Sequence, residues 1–182
     1  MGQIGDIARK HLTERDIPFN NEIIEKIEIL TEELIKWNRI VPLVSGTDMD
    51  SIVSRHVMDS ISGFMSIDHN HYSRIADIGS GNGFPGIIIG LFFPDKQVVL
   101  IENRRMKASF LKQACFKLYQ ANTTVYARSA ARYDFTDTDI ILARAFGSID
   151  KIRGYAGEEF SGTIGIYRKD RIELYVPRGT PR

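Results

Sequence analysis

Asp77-Ile78-Gly79-Ser80-Gly81-Asn82-Gly83-Phe84-Pro85-Gly86 is the stretch on which the fold turns. In front of it, Ile75-Ala76-Asp77-Ile78 reads as a short strand. Behind it, Gly86 to Phe93 is apolar enough for a buried helix that Pro94 ends. Working outward, Gln97 to Ile101 is a continuous apolar strand of the kind covered on both faces, and Arg104 to Tyr119 returns to helical spacing through Leu111, Cys115 and Leu118. Further strands are predicted at Thr123 to Ala127 and Asp139 to Ala143. Strands and helices alternating at this length imply a parallel sheet with right-handed crossovers, a doubly wound α/β fold. Thr163 to Val176 holds two β-favouring runs around Arg168-Lys169-Asp170-Arg171 and is expected to close the sheet as a hairpin.

Upstream of the first strand the pattern is helical. After Pro18, Asn20 or Asn21 can cap a helix whose apolar positions Ile23, Ile27, Leu30, Leu34 and Trp37 form one stripe. Val41-Pro42 and Ser45-Gly46 break that pattern. A second helix starts near Asp48 or Asp50 and buries Val53, Val57, Ile61 and Phe64, with Arg55 and Asp59 four apart on its other face. The expected organisation is a helical cap over 1–70 packed on a core over 71–182, together one compact unit.

The 182 residues, 43% hydrophobic and 26% charged, suit one globular fold and exclude disorder, collagen-like repeats and a disulfide-stapled mini-protein. No apolar run reaches the roughly 20 residues of a membrane span. Met1 to Lys10 lacks the apolar stretch of a signal peptide, so a cytoplasmic protein with no membrane partner is expected. Cys115 is the one cysteine and is expected in the core, and His11, His56, His69 and His71 show no metal spacing. No metal and a monomeric chain are expected.

A net charge of +1 conceals an asymmetry. Residues 1–60 hold 11 acids against 7 bases, whereas residues 103–133 hold 7 bases and no acid: Arg104, Arg105, Lys107, Lys112, Lys117, Arg128 and Arg132. Residues 151–182 add 7 bases against 4 acids. Such a stripe suits a polyanion; the plainer alternative is a solvated helix face.

Two readings of the glycine turn compete. Gly81, Gly83 and Gly86 fit G-x-G-x-x-G, and Glu102 ends the next strand where a dinucleotide-binding protein places its ribose acid. Against this, Gly79 is the first glycine after the strand, and Pro85 removes an N–H where a pyrophosphate would want one. Read from the acid, Asp77-x-Gly79-x-Gly81-x-Gly83 lets the backbone approach a cofactor without phosphate, with negative charge nearby. S-adenosyl-L-methionine fits: its amino and sulfonium charges favour an acidic neighbourhood, and its ribose diol suits Glu102. In a purely structural alternative the glycines make the turn and Asp77 caps the following helix.

Trp37-Asn38, Ser54-Arg55-His56-Val57-Met58-Asp59-Ser60, the turn from Asp77 to Gly86 with its final Pro-Gly, and Leu142-Ala143-Arg144-Ala145-Phe146 follow one another in an order that closely resembles the bacterial 16S rRNA guanine-N7 methyltransferases, also called the glucose-inhibited division protein B family. The resemblance runs from about Leu34 to Ile149. It implies a Rossmann-like S-adenosylmethionine-dependent methyltransferase sheet behind an N-terminal helical cap, acting on one guanine in the 530-loop region of 16S rRNA, free or within the small ribosomal subunit. It implies that Gly79 and Phe84 touch the cofactor in a loop completed by Asp77, Ser80, Gly81 and Gly83. Glu102 would hold the ribose, Ser129 and Ala130 would line the adenine, and Arg144 would sit at the mouth between cofactor and RNA. The chain departs from the family at Pro42, where Asn is usual, and at Ala130-Ala131, which replaces an acidic pair. After Ile149 it is shorter than expected, with Arg168 or Lys169 in the region of a late lysine.

Guanine N7 carries a lone pair and no proton, so transfer of a methyl group to it needs alignment rather than a general base. Arg144 is the expected catalytic residue, as a phosphate or O6 contact. Asn38, Arg55, His56, Arg104 and Arg105 are expected to face the RNA. The plainer alternative for Arg55 is a surface ion pair with Asp59; Trp37 could stack on a base, but on a buried stripe a core position is expected. The competing functions are a small-molecule methyltransferase on the same fold, a nicotinamide-binding module and an RNA-binding scaffold without activity.

Overall fold

The computed structural model describes residues 2–45 and 48–176; Met1, Gly46, Thr47 and residues 177–182, which include Arg178 and Arg182 of the C-terminal basic run, lie outside the described residues. Six strands form one sheet: β1 (Arg74–Ile78), β2 (Gln97–Ile101), β3 (Thr123–Tyr126), β4 (Ile140–Ala143), β5 (Thr163–Arg168) and β6 (Arg171–Tyr175), in the order β3-β2-β1-β4-β5-β6. The first five run parallel, and β6 returns antiparallel beside β5. β4 is buried at every position and β1 at all but its first, as strands covered on both faces must be. The order reverses between β1 and β4, and at such a switch point the loops leaving the carboxyl ends of the strands part to form a crevice. The glycine turn leaves β1 there, and the Arg144 segment leaves β4.

Seven α-helices flank the sheet among the described residues: α1 (Gln3–Thr13), α2 (Asn21–Asn38), α3 (Met49–Ile52), α4 (Met58–Met65), α5 (Gly86–Phe92), α6 (Arg105–Lys117) and α7 (Ile149–Ala156). Asn20 caps α2, its side chain accepting from Ile23 N at 2.9 Å, and the predicted stripe faces inward, with Ile27, Leu30 and Leu34 fully buried. Trp37 packs edge-on against Phe110 of α6, a core position. One cluster of buried side chains runs from Ile4 and Leu12 of α1 through α2 and α4 to Ile87 of α5 and Leu142 of β4, so cap helices and sheet share apolar packing.

Two helices were not apparent from the sequence, α1 and α7, and one predicted helix has an interruption. Between α3 and α4 the chain makes a π turn over Val53–Val57, in which Met58 N–H reaches back to Val53 O. The predicted buried positions Val53, Val57, Ile61 and Phe64 are all inside. The wider turn swings the following side chains around the axis, so residues four apart no longer stack. The alternative of an Arg55–Asp59 pair therefore does not form: Arg55 is exposed, and Asp59 pairs with Arg144.

Candidate functional site

β1 ends at Ile78 and the chain turns at once. Gly79 and Gly81 take φ of 71° and 50°, a left-handed backbone open to glycine without strain. Gly79 N–H and Ser80 N–H both bond Ile101 O, at 2.8 and 3.2 Å, which ties the turn to the end of β2. A Cβ on Gly79 would run into the Phe146 ring, whereas one on Gly81 would still have room. Asp77 lies beneath the turn, 1% exposed, and its Oδ2 accepts from Gly86 N at 3.1 Å, at the first residue of α5. Burial pushes its carboxyl up to about 7, against the pull of the Gly86 N–H, the Ser80 hydroxyl and the Arg144 charge. Ser80 is buried as well, its hydroxyl donating to Asp77 O at 2.8 Å.

This arrangement bears on the two cofactor readings. The Gly86 N–H is already taken by a carboxylate, Ile87 N–H bonds Gly83 O, and both residues are buried. The first two amides of α5 are therefore taken and not open to a pyrophosphate.

The open side of the turn faces a cavity of about 370 Å³, within the usual range for small-molecule sites. Gly79 and Gly81 form one wall, Ser129 and Ala130 after β3 another, and Ala145 and Phe146 after β4 a third. Glu102, at the end of β2, lies at the base: Oε2 accepts from Gly81 N at 3.1 Å and Oε1 from Arg104 N at 2.8 Å, which fixes the carboxylate. Four cations rim the cavity, Arg104, Lys107, Arg128 and Lys151. Lys151 also stands over the Phe146 ring, 5.5 Å from its centroid.

A second constellation lies beside this cavity. Arg144 Nη2 donates to Arg55 O at 3.0 Å and to Asp59 Oδ2 at 3.3 Å, while its buried Nη1 has no partner among the described residues. His56 stacks on Phe84, with ring centroids 5.2 Å apart, and its Nδ1 is likewise buried without a partner. Burial, then the charges of Arg144 and Arg55, push the His56 imidazole down to about 4, so it is neutral at pH 7. The Asp59 carboxyl is raised because burial outweighs the attraction of Arg144. Ser60 Oγ donates to His56 O at 2.5 Å, and Tyr167 of β5 donates its hydroxyl to Ser60 O at 2.8 Å. The π turn thus brings the carbonyls of Arg55 and His56 within reach of side chains, and the Arg55 carbonyl receives Arg144.

Of the residues singled out from the sequence, the structure gathers Gly79, Gly81, Glu102, Arg104, Ser129 and Ala130 around the cavity. Asp77, Ser80 and Gly83 shape the turn from behind. Phe84, His56, Arg55 and Arg144 form the second constellation. Arg105 is exposed on α6. Asn38 is held in its own loop, its Oδ1 accepting from Leu43 N at 2.7 Å and Val44 N at 2.9 Å, and Asn82 of the glycine turn donates to Leu43 O at 3.3 Å. Sequence reasoning missed Phe146, Lys151 and Tyr155 as wall residues. The signal for the last two was present: Ser148 accepts from Lys151 N as an N-cap, with Asp150 in the first turn of the undetected α7.

The sequence family described as rRNA small subunit methyltransferase G matches residues 23–174, beyond the Leu34–Ile149 stretch quoted above at both ends. The ribosomal RNA small subunit methyltransferase G of Pseudomonas putida (strain GB-1) is 34% identical over 146 residues, 76% of this chain and 67% of that protein. The protein of that name from Halorhodospira halophila (strain DSM 244 / SL1) is 30% identical over 168 residues, 90% of this chain and 76% of its own. Among solved structures, coclaurine N-methyltransferase bound to N-methylheliamine and SAH superposes with a TM-score of 0.54 at 14% identity, covering 90% of this chain and 58% of that one, a likeness of fold. By the extent of the family match and the identity to these relatives, the chain belongs to the rRNA small subunit methyltransferase G family.

Proposed function

We propose that the chain transfers a methyl group from S-adenosyl-L-methionine to N7 of a guanine in the 530-loop region of 16S rRNA. The observation that carries this reading is the glycine turn. Its helix start is sealed by Asp77, and its open side faces Glu102, fixed in a cavity of nucleoside size with a cationic rim. A phosphate would find the first two amides of α5 already bonded, whereas a ribose diol has a carboxylate acceptor in Glu102. Glu102 accepts from the ribose hydroxyls with its remaining lone pairs, Gly79 and Gly81 allow close backbone approach, and Ser129 and Ala130 flank the adenine. Lys107 and Lys151, on the rim of the same cavity, are placed to receive a carboxylate. S-adenosylmethionine, when bound, supplies an electrophilic methyl group on a sulfonium.

The residues then have to bring N7 into line and keep it there, since the acceptor has no proton to lose. Arg144 is braced by Asp59 and Arg55 O, and its buried Nη1, once uncovered by RNA docking, has no protein partner to compete with guanine O6 or a phosphate. His56, neutral and stacked on Phe84, lies beside it with a buried, unpaired Nδ1. Asn38 serves the same surface by shaping the 39–44 loop that Asn82 grips. Arg104 and Arg105 meet the RNA backbone. In this reading residues 1–70 are the cap, residues 71–182 the catalytic core, and the chain works as a monomer in the cytoplasm on rRNA or the assembling small subunit.

The test is methyl transfer. Labelled S-adenosylmethionine should mark 16S rRNA or 30S particles, and the modified guanine should be cleaved by aniline after borohydride reduction. Calorimetry should show heat with S-adenosylhomocysteine and none with NADH. Label that enters only small metabolites, or binding of NADH alone, would overturn the proposal.

A further inference from the structure

On α6, Arg105, Ser109, Lys112 and Phe116 recur at spacings of 4, 3 and 4, and all four point to solvent; Tyr119 continues the row three residues on. The opposite face is occupied: Phe110, Leu111 and Ala114 are in the core, and Gln113 and Lys117 bond Glu33 of α2. Two features of the outward row are not explained by folding. Phe116 is 78% exposed and Tyr119 86% exposed, adjacent to each other beside a shallow depression that both rings line with Cys115, Gln120, Ala121 and Thr123. Tyr119 also sits at φ 50°, just past the end of α6, where glycine is the favoured residue and a bulky side chain is strained. The fold thus holds a large ring in an unfavourable backbone state and gains almost no burial from it.

We propose that this outward face of α6, from Arg105 to Tyr119, is a second RNA-binding track: unpaired bases stack on Phe116 and Tyr119, and Arg105 and Lys112 meet the phosphates. The proposal rests on the reading of the chain as an RNA methyltransferase and adds a surface outside the cavity. Charge selects the occupant. Residues 103–133 contain no acid, and neither Arg105 nor Lys112 is paired with a carboxylate among the described residues. A second copy docking by the same face would set two basic stripes against each other. Continuity agrees: the row starts next to Arg104 and Lys107, which line the cavity, and follows the helix for about 20 Å. Base–aromatic stacking tolerates any sequence, which suits a track that grips the strand while the cavity selects the base.

The experiment uses the full chain and transcribed 16S rRNA. Ultraviolet irradiation of the complex, digestion and mass spectrometry should find nucleotide adducts on Phe116 or Tyr119. The double variant Phe116→Ala/Tyr119→Gly should bind 16S rRNA with a Kd raised about tenfold per lost ring, and raise KM for methylation with kcat little changed. Its affinity for S-adenosylhomocysteine should stay at the wild-type value. Tyr119→Gly relieves the left-handed strain, so its Tm should not fall, which separates lost contact from lost fold. If the wild type methylates rRNA and the double variant keeps the same Kd and KM, with no adduct on either ring, the track is refuted and the function stands. A wild type that neither binds nor methylates rRNA refutes both. A wild-type dimer by sedimentation that dissociates in the double variant gives the face to a second copy and also refutes the track.

Discussion

Arg144 uses one fork nitrogen to hold both the Asp59 carboxylate and the Arg55 carbonyl and leaves the other free and buried. A lysine ammonium has no such rigid fork. Arg144→Lys should therefore lower kcat by about a hundredfold while S-adenosylhomocysteine still binds. Asp59→Asn, which keeps an acceptor but removes the charge, should cost about tenfold in kcat; equal rates for wild type and both variants would remove this pair from the mechanism. Asp77 and His56 make a second prediction because burial moves their titrations oppositely. Between about pH 3.8 and 7 the folded chain keeps on Asp77 a proton that the unfolded chain has released, so this residue makes stability fall as pH rises. Between about pH 4 and 6.5 the unfolded chain protonates His56 while the folded chain does not, so this residue makes stability rise with pH. The two oppose each other over their shared window. Urea unfolding should show Asp77→Asn gaining stability with pH from about 4 to 6.5 and His56→Gln losing it over the same range. Parallel pH profiles for the two variants would contradict the burial argument.

At the scale of the elements, α6 is fastened to α2 through Glu33, 5% exposed, which accepts from Lys117 Nζ at 2.5 Å and Gln113 Nε2 at 2.8 Å. Its carboxyl is held below the usual range even though burial opposes ionisation, because Lys117 and Gln113 outweigh that penalty. Lys117→Ala would leave a buried carboxylate without its cation and should cost about 2 kcal/mol in urea unfolding, with Glu33→Gln/Lys117→Met recovering most of it. No change in the single variant would mean that Glu33 is solvated. The strands were legible to within a residue or two, because apolar runs such as Val98-Val99-Leu100-Ile101 admit no other packing once glycine and proline bound them. α1 and α7 were not legible: α1 carries Arg9, Lys10 and His11 among its apolar positions, and α7 buries only Ile152. The π turn left no signal at all, since its bonds are backbone to backbone, and the wrong partner for Asp59 followed from it. In the site, Glu102 and the glycines could be read locally. The role of Asp77 as a buried cap could not be chosen over that of a cofactor acid, because both need the same residue at the same place.

Across the whole molecule the charges are sorted: the first 60 residues are net acidic and residues 103–133 wholly basic among their charged side chains. The fold turns that order into a face. Arg104, Lys107, Arg128 and Lys151 come from three separate elements or their loops to rim one cavity, and Arg105 and Lys112 extend the rim along α6. A surface of this kind binds a polyanion by displacing counterions, so affinity should fall linearly with salt on logarithmic axes, by about 0.7 per neutralised phosphate on single strands. With four of these six cations on phosphate the slope for 16S rRNA would be about −3. Arg105→Gln/Lys112→Gln should make it shallower by about 1.4 and weaken binding to unrelated RNA equally. Glu25→Gln/Glu32→Gln, exposed on α2, should leave the slope nearly unaltered, because the slope counts cations placed on phosphates and neither acid makes such a contact. Filter binding across a salt series measures all three, and a slope near zero in the wild type would mean that the basic face is solvated and takes no part in holding RNA.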